Sequence, residues 1–557
     1  MKEVIAKLIK KALGELDIDA KEQDILNVIE TPKNPDFGDF AFPCFAIANQ
    51  AKTNPHDLAL EVRGKIRQLP AEFTDIQTSG PYINFFLNRN QTSIELINKI
   101  LAKKERFGSQ DIGKKQKALI EHTSINPNAS PHVGRVRNAI IGDSIVKILA
   151  FMNFKPEVHY YVNDVSKQIA MLVLANADKL KFDAMLKKYV ETAKKVEKSK
   201  KLEQEVFLLL NNLEKNDKKT VAKFKKITNT CVKGQAKILA DINIKYDFFD
   251  YESKYLVKTK EILAELQKTK KLHKDKQGRL YLDQRGTVVK NKMKSPVLVL
   301  TRSDGTGLYP LRDIAYTIDK LKKAQRNIII LGEDQKLYFL QLKEALKLLK
   351  HEAPEVIHYS FVLLKSKGKN KKMATRKGDV VLLADFLNEA ISKAKKEIAK
   401  RKTGGDPKKI AVGAIKYSLL KNNQNKVIVF SLDDALNFEG DTGPYLQYSY
   451  ARASSIIRKA KPKSNQIILK ELHDKETALI KKLSDFQQII LSAYNNLNPS
   501  LIANYSYQLA QIFNEFYHEC PVIDSEQEAF RLSLVNAFRQ VLKNSLNLLG
   551  IDVLEKM

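Results

Sequence analysis

The stretch ALIEHTSINPNASPHVGRVRNAIIGDSIVKIL, Ala118 to Leu149, decides how the rest of the chain is read. Ala118, Leu119 and Ile120 form a short apolar run of the kind that makes a buried strand, and Glu121 to Pro131 carry the Asn and Pro residues of a loop. From His132 onward Val133, Val136, Ile140, Ile148 and Leu149 recur every three to four residues, which predicts a helix with one apolar face packed on a sheet. Pro131 suits the first helical turn and Ser130 suits the cap, so His132 and Gly134 are expected at a helix N-terminus. Unpaired N–H groups and a positive partial charge there suit phosphate, and a glycine leaves room for a flat base. A capped loop-to-helix corner inside a core has the same pattern, so this stretch alone leaves both readings open.

At 557 residues the chain exceeds what a single core holds, and three or four units are expected. No run approaches the roughly 18 apolar residues that span a bilayer. The opening helix MKEVIAKLIKKALGEL contains Glu3 and Glu15 and lacks Arg, unlike a transit peptide, which predicts a cytoplasmic protein whose first residues belong to the fold. Lysine and arginine outnumber aspartate and glutamate 95 to 64, a net charge of +31. A polyanion, nucleic acid ahead of membrane, is the leading partner, with solvated surface charge the alternative. Cys44, Cys231 and Cys520 lie far apart, so neither structural zinc nor a disulfide framework is expected.

A second strand is expected from Glu157 to Val162, ending in Asn163-Asp164 with Gln168 beyond; these polar residues either meet a ligand at a strand end or cap the next helix. Between about 175 and 290, lysine-rich helical patterns read as a helical insertion between two halves of the sheet. Apolar strands return at Pro296 to Leu300, Asn327 to Leu331 and His358 to Leu364. Tyr309 and Asp313 are four apart and share a helix face, offering an aromatic wall, a hydroxyl and a carboxylate. That set matches a guanidinium, although Asp313 paired with Arg312 would look the same. Beyond about 405 the pattern is helical throughout.

His132-Val133-Gly134-Arg135, after Asn126-Pro127 and before Arg137 and Gly142-Asp143, resembles the HIGH motif of class I aminoacyl-tRNA synthetases, in its arginyl form. Lys372-Met373-Ala374-Thr375-Arg376 resembles the KMSKS loop of the same family, in the right order and about 240 residues later. Phe37-Gly38-Asp39-Phe40-Ala41 and Gly80-Pro81-Tyr82-Ile83-Asn84-Phe85 resemble the family's N-terminal domain, and Asp441 to Tyr448, Leu548 to Ile551 and Met557 resemble its anticodon-binding bundle. Arg135 departs from the pattern: it stands at the family's second His, a fixed charge in place of a titrating ring.

The resemblance implies an α/β Rossmann-type parallel-sheet catalytic core (111–404) with the helical insertion, a small N-terminal α+β domain contacting tRNA (1–110), and a C-terminal all-α anticodon-binding bundle (405–557). It implies an arginine–tRNA ligase acting on L-arginine, ATP and tRNA(Arg), with Mg2+ carried on the ATP, no dedicated metal site, no membrane, and a monomer. His132, Gly134, Arg135 and Lys372 would be catalytic, with His132, Gly134, Lys372, Met373 and Arg376 on ATP. Ser124, Asn126, Tyr309, Asp313 and Gln335 would bind arginine. Tyr445, Tyr448 and Met557 are anticodon candidates, with core packing equally open for the two tyrosines.

Overall fold

The computed structural model describes residues 1–557 other than Lys33, Ser124, 367–368, 372–380 and 461–468, and leaves out the side chains at 35, 364–366 and 369–371. The chain falls into two compact units. One comprises Met1–Lys103 with a segment ending at Ser484 and His518–Ala537; the other comprises Lys104–Ala460, Asp485–Tyr517 and Phe538–Met557.

In the first unit, helices Lys2–Gly14 and Pro55–Lys65 pack with an antiparallel sheet of Phe40–Pro43, Tyr82–Leu87 and Phe73–Ser79. Ile5, Ile9, Leu58, Val62, Phe42 and Phe85 fill the core between them. Gly38 turns at φ +83°, and a Cβ there would lie 2.8 Å from the Phe85 carbonyl oxygen, so this corner requires glycine.

The second unit is built on five parallel strands. In spatial order they are Glu355–Tyr359, Arg326–Gly332, Lys117–Thr123, Lys155–Val162 and Phe248–Tyr251. Counted along the chain, Lys117–Thr123 is first, with the second strand on one side and the fourth on the other. The order therefore reverses beside it, the topological switch point where ligands bind at the carboxyl ends of doubly wound sheets. Ile120 pairs with Val158 on one side and Ile328 on the other, and all three are buried, which explains the apolar runs. Gly142 lets the helix Arg137–Phe151 settle onto this strand: a Cβ there would lie 2.1 Å from that of His122.

Several expected boundaries are corrected. The segment read as a helical insertion contains the edge strand Phe248–Tyr251 of the main sheet, which separates the helix Lys218–Ala240 from a further helix, Thr259–Lys268. The run His358 to Leu364 is two strands in different sheets, Glu355–Tyr359 and Val362–Ser366, broken at Ser360 where the backbone turns to bond Gln424 and Arg137. Val297–Val299 is antiparallel in a small separate sheet with Leu272–Lys274 and Leu280–Asp283. Beyond 405 the chain is not helical throughout, since Ile428–Phe430 pairs parallel with Val362–Leu364.

Candidate active site

The first strand ends with the Thr123 hydroxyl 2.6 Å from that of Tyr246, and the loop beyond crosses the switch point. His132 is extended (φ −107°, ψ 154°) and forms an antiparallel bridge with Leu382. Val133 N–H donates to the Val381 carbonyl at 3.1 Å and Leu383 N–H to that of Pro131 at 2.8 Å. This corrects the expected helix start: a backbone paired in a ladder cannot also form a first helical turn. Val133–Arg135 is a short 3-10 turn, and the helix begins at Arg137, with neither Ser130 nor Pro131 in its cap. Arg137 is fully buried and pairs with no carboxylate among the described residues; its guanidinium donates to the carbonyls of Ser360, Lys426 and Asn423 at 2.7–3.1 Å, and burial lowers its pKa to about 10.

His132 is half-buried, and its Nδ1 is inaccessible with no partner among the described residues. Burial, aided by the nearby Arg135 charge, lowers its pKa to about 4, so the ring is neutral at pH 7. Arg135 is exposed at the end of the 3-10 turn. Asn126 is exposed on the preceding loop, while Ser124, Lys372, Met373 and Arg376 lie outside the described residues.

On the other side of the sheet's carboxyl end, helix Tyr309–Leu321 presents Asp313 one turn after a half-exposed Tyr309. Asp313 accepts a hydrogen bond from the Tyr338 hydroxyl at 2.5 Å, and the Tyr309 and Tyr338 rings lie 5.0 Å apart. Burial raises the Asp313 pKa, opposed by the Tyr338 bond and the Arg312 charge. Arg312 does not pair with Asp313: its Nε donates to the buried Glu252 at 2.6 Å and its other arm to the Gly307 carbonyl. Burial, against the Arg312 charge, pushes Glu252 up to about 7 and leaves its second oxygen unpartnered. The buried Tyr161 hydroxyl, Asn163 Oδ1 and Gln168 Oε1 are likewise without partners among the described residues. Such a set of buried, unspent polar atoms is what a polar ligand would satisfy.

The next helix, Lys167–Leu174, is capped by Ser166 and not by Asn163 or Asp164; Asp164 instead accepts from the Ser253 N–H and hydroxyl. Gln335 is exposed on the 3-10 turn after the strand Arg326–Gly332, at the expected strand end but with no side-chain hydrogen bond among the described residues. The sequence assigned no contact to Tyr338 and did not single out Glu252 or Tyr161. The position of Glu252 directly after the Phe248–Tyr251 strand was the available signal for it.

In the bundle, Thr442 caps helix Gly443–Lys459. Tyr445 is half-buried and accepts from Asn514 at 2.7 Å. The Arg452 guanidinium lies over the rings of Tyr448 (4.9 Å) and Tyr517 (5.3 Å), and Met557 is half-buried. Both tyrosines thus have internal partners and accessible surface. Among the described residues no group of three or more His, Cys, Asp or Glu could hold a metal, and no helix is long and apolar enough to cross a membrane.

A five-stranded parallel sheet with a His-x-Gly segment at its switch point, followed in the chain by a run of helices, is the architecture of class I aminoacyl-tRNA synthetases. Residues 96–432 match the family described as tRNA synthetases class I (R), catalytic domain. Residues 3–87 match the arginyl tRNA synthetase N-terminal domain and 446–557 the DALR anticodon binding domain. The chain is 36% identical to the arginine–tRNA ligase of Methanocaldococcus jannaschii, over 99% of this chain and 97% of that one. It is 33% identical to the ligase of Clostridium perfringens, over 99% of each. The solved arginyl-tRNA synthetase of Thermus thermophilus superposes with a TM-score of 0.78 at 26% identity over 100% of both chains. That of Plasmodium falciparum, at 21% identity and TM-score 0.74, covers 100% of this chain and 99% of its own and shares the fold. This chain belongs to the arginyl-tRNA synthetase family.

Proposed function

We propose that the chain is an arginine–tRNA ligase. It activates L-arginine with ATP to arginyl-adenylate, releasing pyrophosphate, and transfers the arginyl group to the 3'-terminal ribose of tRNA(Arg), releasing AMP. The observation that carries this reading is the Asp313–Tyr338–Tyr309 cluster, a carboxylate held between two tyrosines beside Glu252. A guanidinium is planar and cationic, and such a cluster offers it ring faces and charge-paired acceptors.

In this reading the arginine carboxylate attacks the ATP α-phosphorus, the bond to the β-phosphate oxygen breaks, and no protein nucleophile takes part. The ribose hydroxyl then attacks the adenylate carbonyl and AMP leaves. Catalysis is positioning plus stabilisation of phosphate charge. Neutral His132 donates one ring N–H, Gly134 admits the nucleotide without a side chain, and Arg135 supplies a fixed cation. Lys372, Met373 and Arg376 would close on the triphosphate, and Ser124, Asn126 and Gln335 would orient the amino acid. Mg2+ would come with ATP, held by phosphate oxygens and water. We assign 1–110 to the tRNA elbow, 111–404 to chemistry and 405–557 to the anticodon through Tyr445, Tyr448 and Met557, in a cytoplasmic monomer.

The test is charging of total tRNA with each radiolabelled amino acid in the presence of ATP and Mg2+. Attachment of arginine alone is expected. A folded protein that binds tRNA and charges nothing would be a non-catalytic tRNA-binding relative, and charging with another amino acid would remove the guanidinium site.

A further inference from the structure

The loop that leads from the first strand to His132 is held from outside the sheet by one side chain. Gln235, fully buried on helix Lys218–Ala240, donates from Nε2 to the carbonyls of Asn126 (2.9 Å) and Ala129 (2.8 Å). Its Oε1 accepts from the Tyr160 hydroxyl at 2.7 Å, and that same hydroxyl lies 2.9 Å from the Ile125 carbonyl. Two carbonyls of a five-residue turn thus depend on one amide, which Tyr160 orients by giving its single proton to the nearer Gln235 Oε1. Asn128 N–H closes back on the Asn126 carbonyl, the turn's own backbone bond among the described residues. A Cβ on the neighbouring Gly234 would lie 2.4 Å from the Phe182 ring, so this helix packs closely on helix Phe182–Glu197.

We propose that Gln235 is a positioning residue for the reaction, rigidifying the Ile125–Pro131 loop so that Asn126 and His132 meet the reactants in one geometry. The inference rests on the reading of this loop as substrate-binding. Both ends of the loop are otherwise secured, by the strand before it and by the Pro131–Val133 pairing after it, so loosening the middle leaves the fold intact while broadening the placement of the groups it carries. A misplacement of about 1 Å at a reacting group costs of order a hundredfold in rate. The exposed side of the same helix bears Lys219, Lys225 and Lys233. Gln235 therefore also ties a basic surface to the nucleotide loop.

The test is steady-state aminoacylation by the full chain carrying Gln235→Met or Gln235→Glu, alongside Thr228→Val as a control. Thr228 is buried on the same helix, and its hydroxyl has no partner among the described residues. Gln235→Met should lose roughly ten- to hundredfold in kcat/KM for arginine, with unaltered tRNA affinity, whereas Thr228→Val should match wild type. Gln235→Glu keeps the acceptor for Tyr160 but turns a carboxylate towards two carbonyls. Its activity relative to wild type should rise as pH falls, because a protonated carboxyl regains one donor; a merely space-filling role predicts no such slope. Wild-type kcat/KM in Gln235→Met, or a flat pH ratio in Gln235→Glu, overturns the proposal. If both variants fail to fold, Tyr160→Phe decides: a several-fold loss supports the clamp, and an unchanged value overturns it. Absence of arginine charging by wild type would defeat the proposed function instead, and is read first.

Discussion

The Tyr338 hydroxyl donates to the Asp313 carboxylate across 2.5 Å, joining the N-terminal halves of two helices at the carboxyl end of the parallel sheet. The bond fixes one carboxylate oxygen and leaves the other to a ligand. Asp313→Asn should weaken arginine recognition by about 2–5 kcal/mol through loss of a desolvated charge pair. Tyr338→Phe should cost about 1.5–3 kcal/mol, the range for a bond to a charged group. The double variant should fall short of the sum, since both act on one oxygen. Specificity constants for arginine check all three, and wild-type values for Asp313→Asn would remove the assignment.

The same aspartate has an opposite effect on stability. Burial raises its pKa above 3.8, so the folded state keeps a proton that the unfolded chain has released. Its contribution to stability is therefore present at low pH and lost as pH rises through the folded value. Asp313→Asn should unfold at the same or a higher temperature than wild type at pH 7.5, despite its loss of activity. Thermal melts at that pH give the answer, and a clearly lower midpoint contradicts the account.

Glu252 is pushed up to about 7 by burial, with one oxygen on Arg312 and the other unspent. A guanidinium placed against that second oxygen favours the ionised form. Arginine binding at pH 7 should therefore release a fraction of a proton, and the calorimetric binding enthalpy should differ between phosphate and Tris. Glu252→Gln should abolish the difference. Equal enthalpies in the two buffers with wild type would place the ligand charge elsewhere.

His122 is buried, and burial lowers its pKa to about 4; His132 is lowered similarly while half-buried. In both, the unfolded chain binds a proton near 6.5 that the folded state refuses, so stability is lost as pH falls from 6.5 towards 4. For His122 the slope should approach about 1.4 kcal/mol per pH unit, with a smaller part from the more solvated His132. Urea denaturation at pH 7 and pH 5 measures it. The rate should show no inflection near 6.5 from this segment, because His132 is already neutral; Arg135→His should introduce one.

Gly142→Ala should destabilise the second unit. The added carbon meets the Cβ of His122, which is fixed to a central strand and cannot swing away. The helix must lift from the sheet, costing on the order of 1–3 kcal/mol or more, seen as a lower denaturant midpoint. An unchanged midpoint would mean the packing is looser than described.

Much of this architecture was legible in residue order. Strands at Ala118, Glu157 and Asn327 follow from apolar runs, and the pairing of Tyr309 with Asp313 follows from helical spacing, because both are local consequences of backbone geometry. The edge strand Phe248–Tyr251 escaped because its flanks are lysine-rich and its partner lies about 90 residues earlier. The split at Ser360 escaped because it is imposed by the hydrogen bonds that its N–H donates to the Gln424 carbonyl and its carbonyl accepts from Arg137, neither of them a neighbour in sequence.

By itself the sequence determined the family, three of the five strands of the parallel sheet and most of the residue types brought to the site. Tertiary structure alone decided which of them spend their polar groups on one another. Arg312 turns to Glu252 and not to Asp313, Tyr338 serves Asp313, and His132 is drawn into a ladder with Leu382 that displaces the helix start to Arg137. The reason is that spacing along a chain fixes faces, whereas the choice among competing donors and acceptors depends on distance and desolvation, which exist only once the strands are packed.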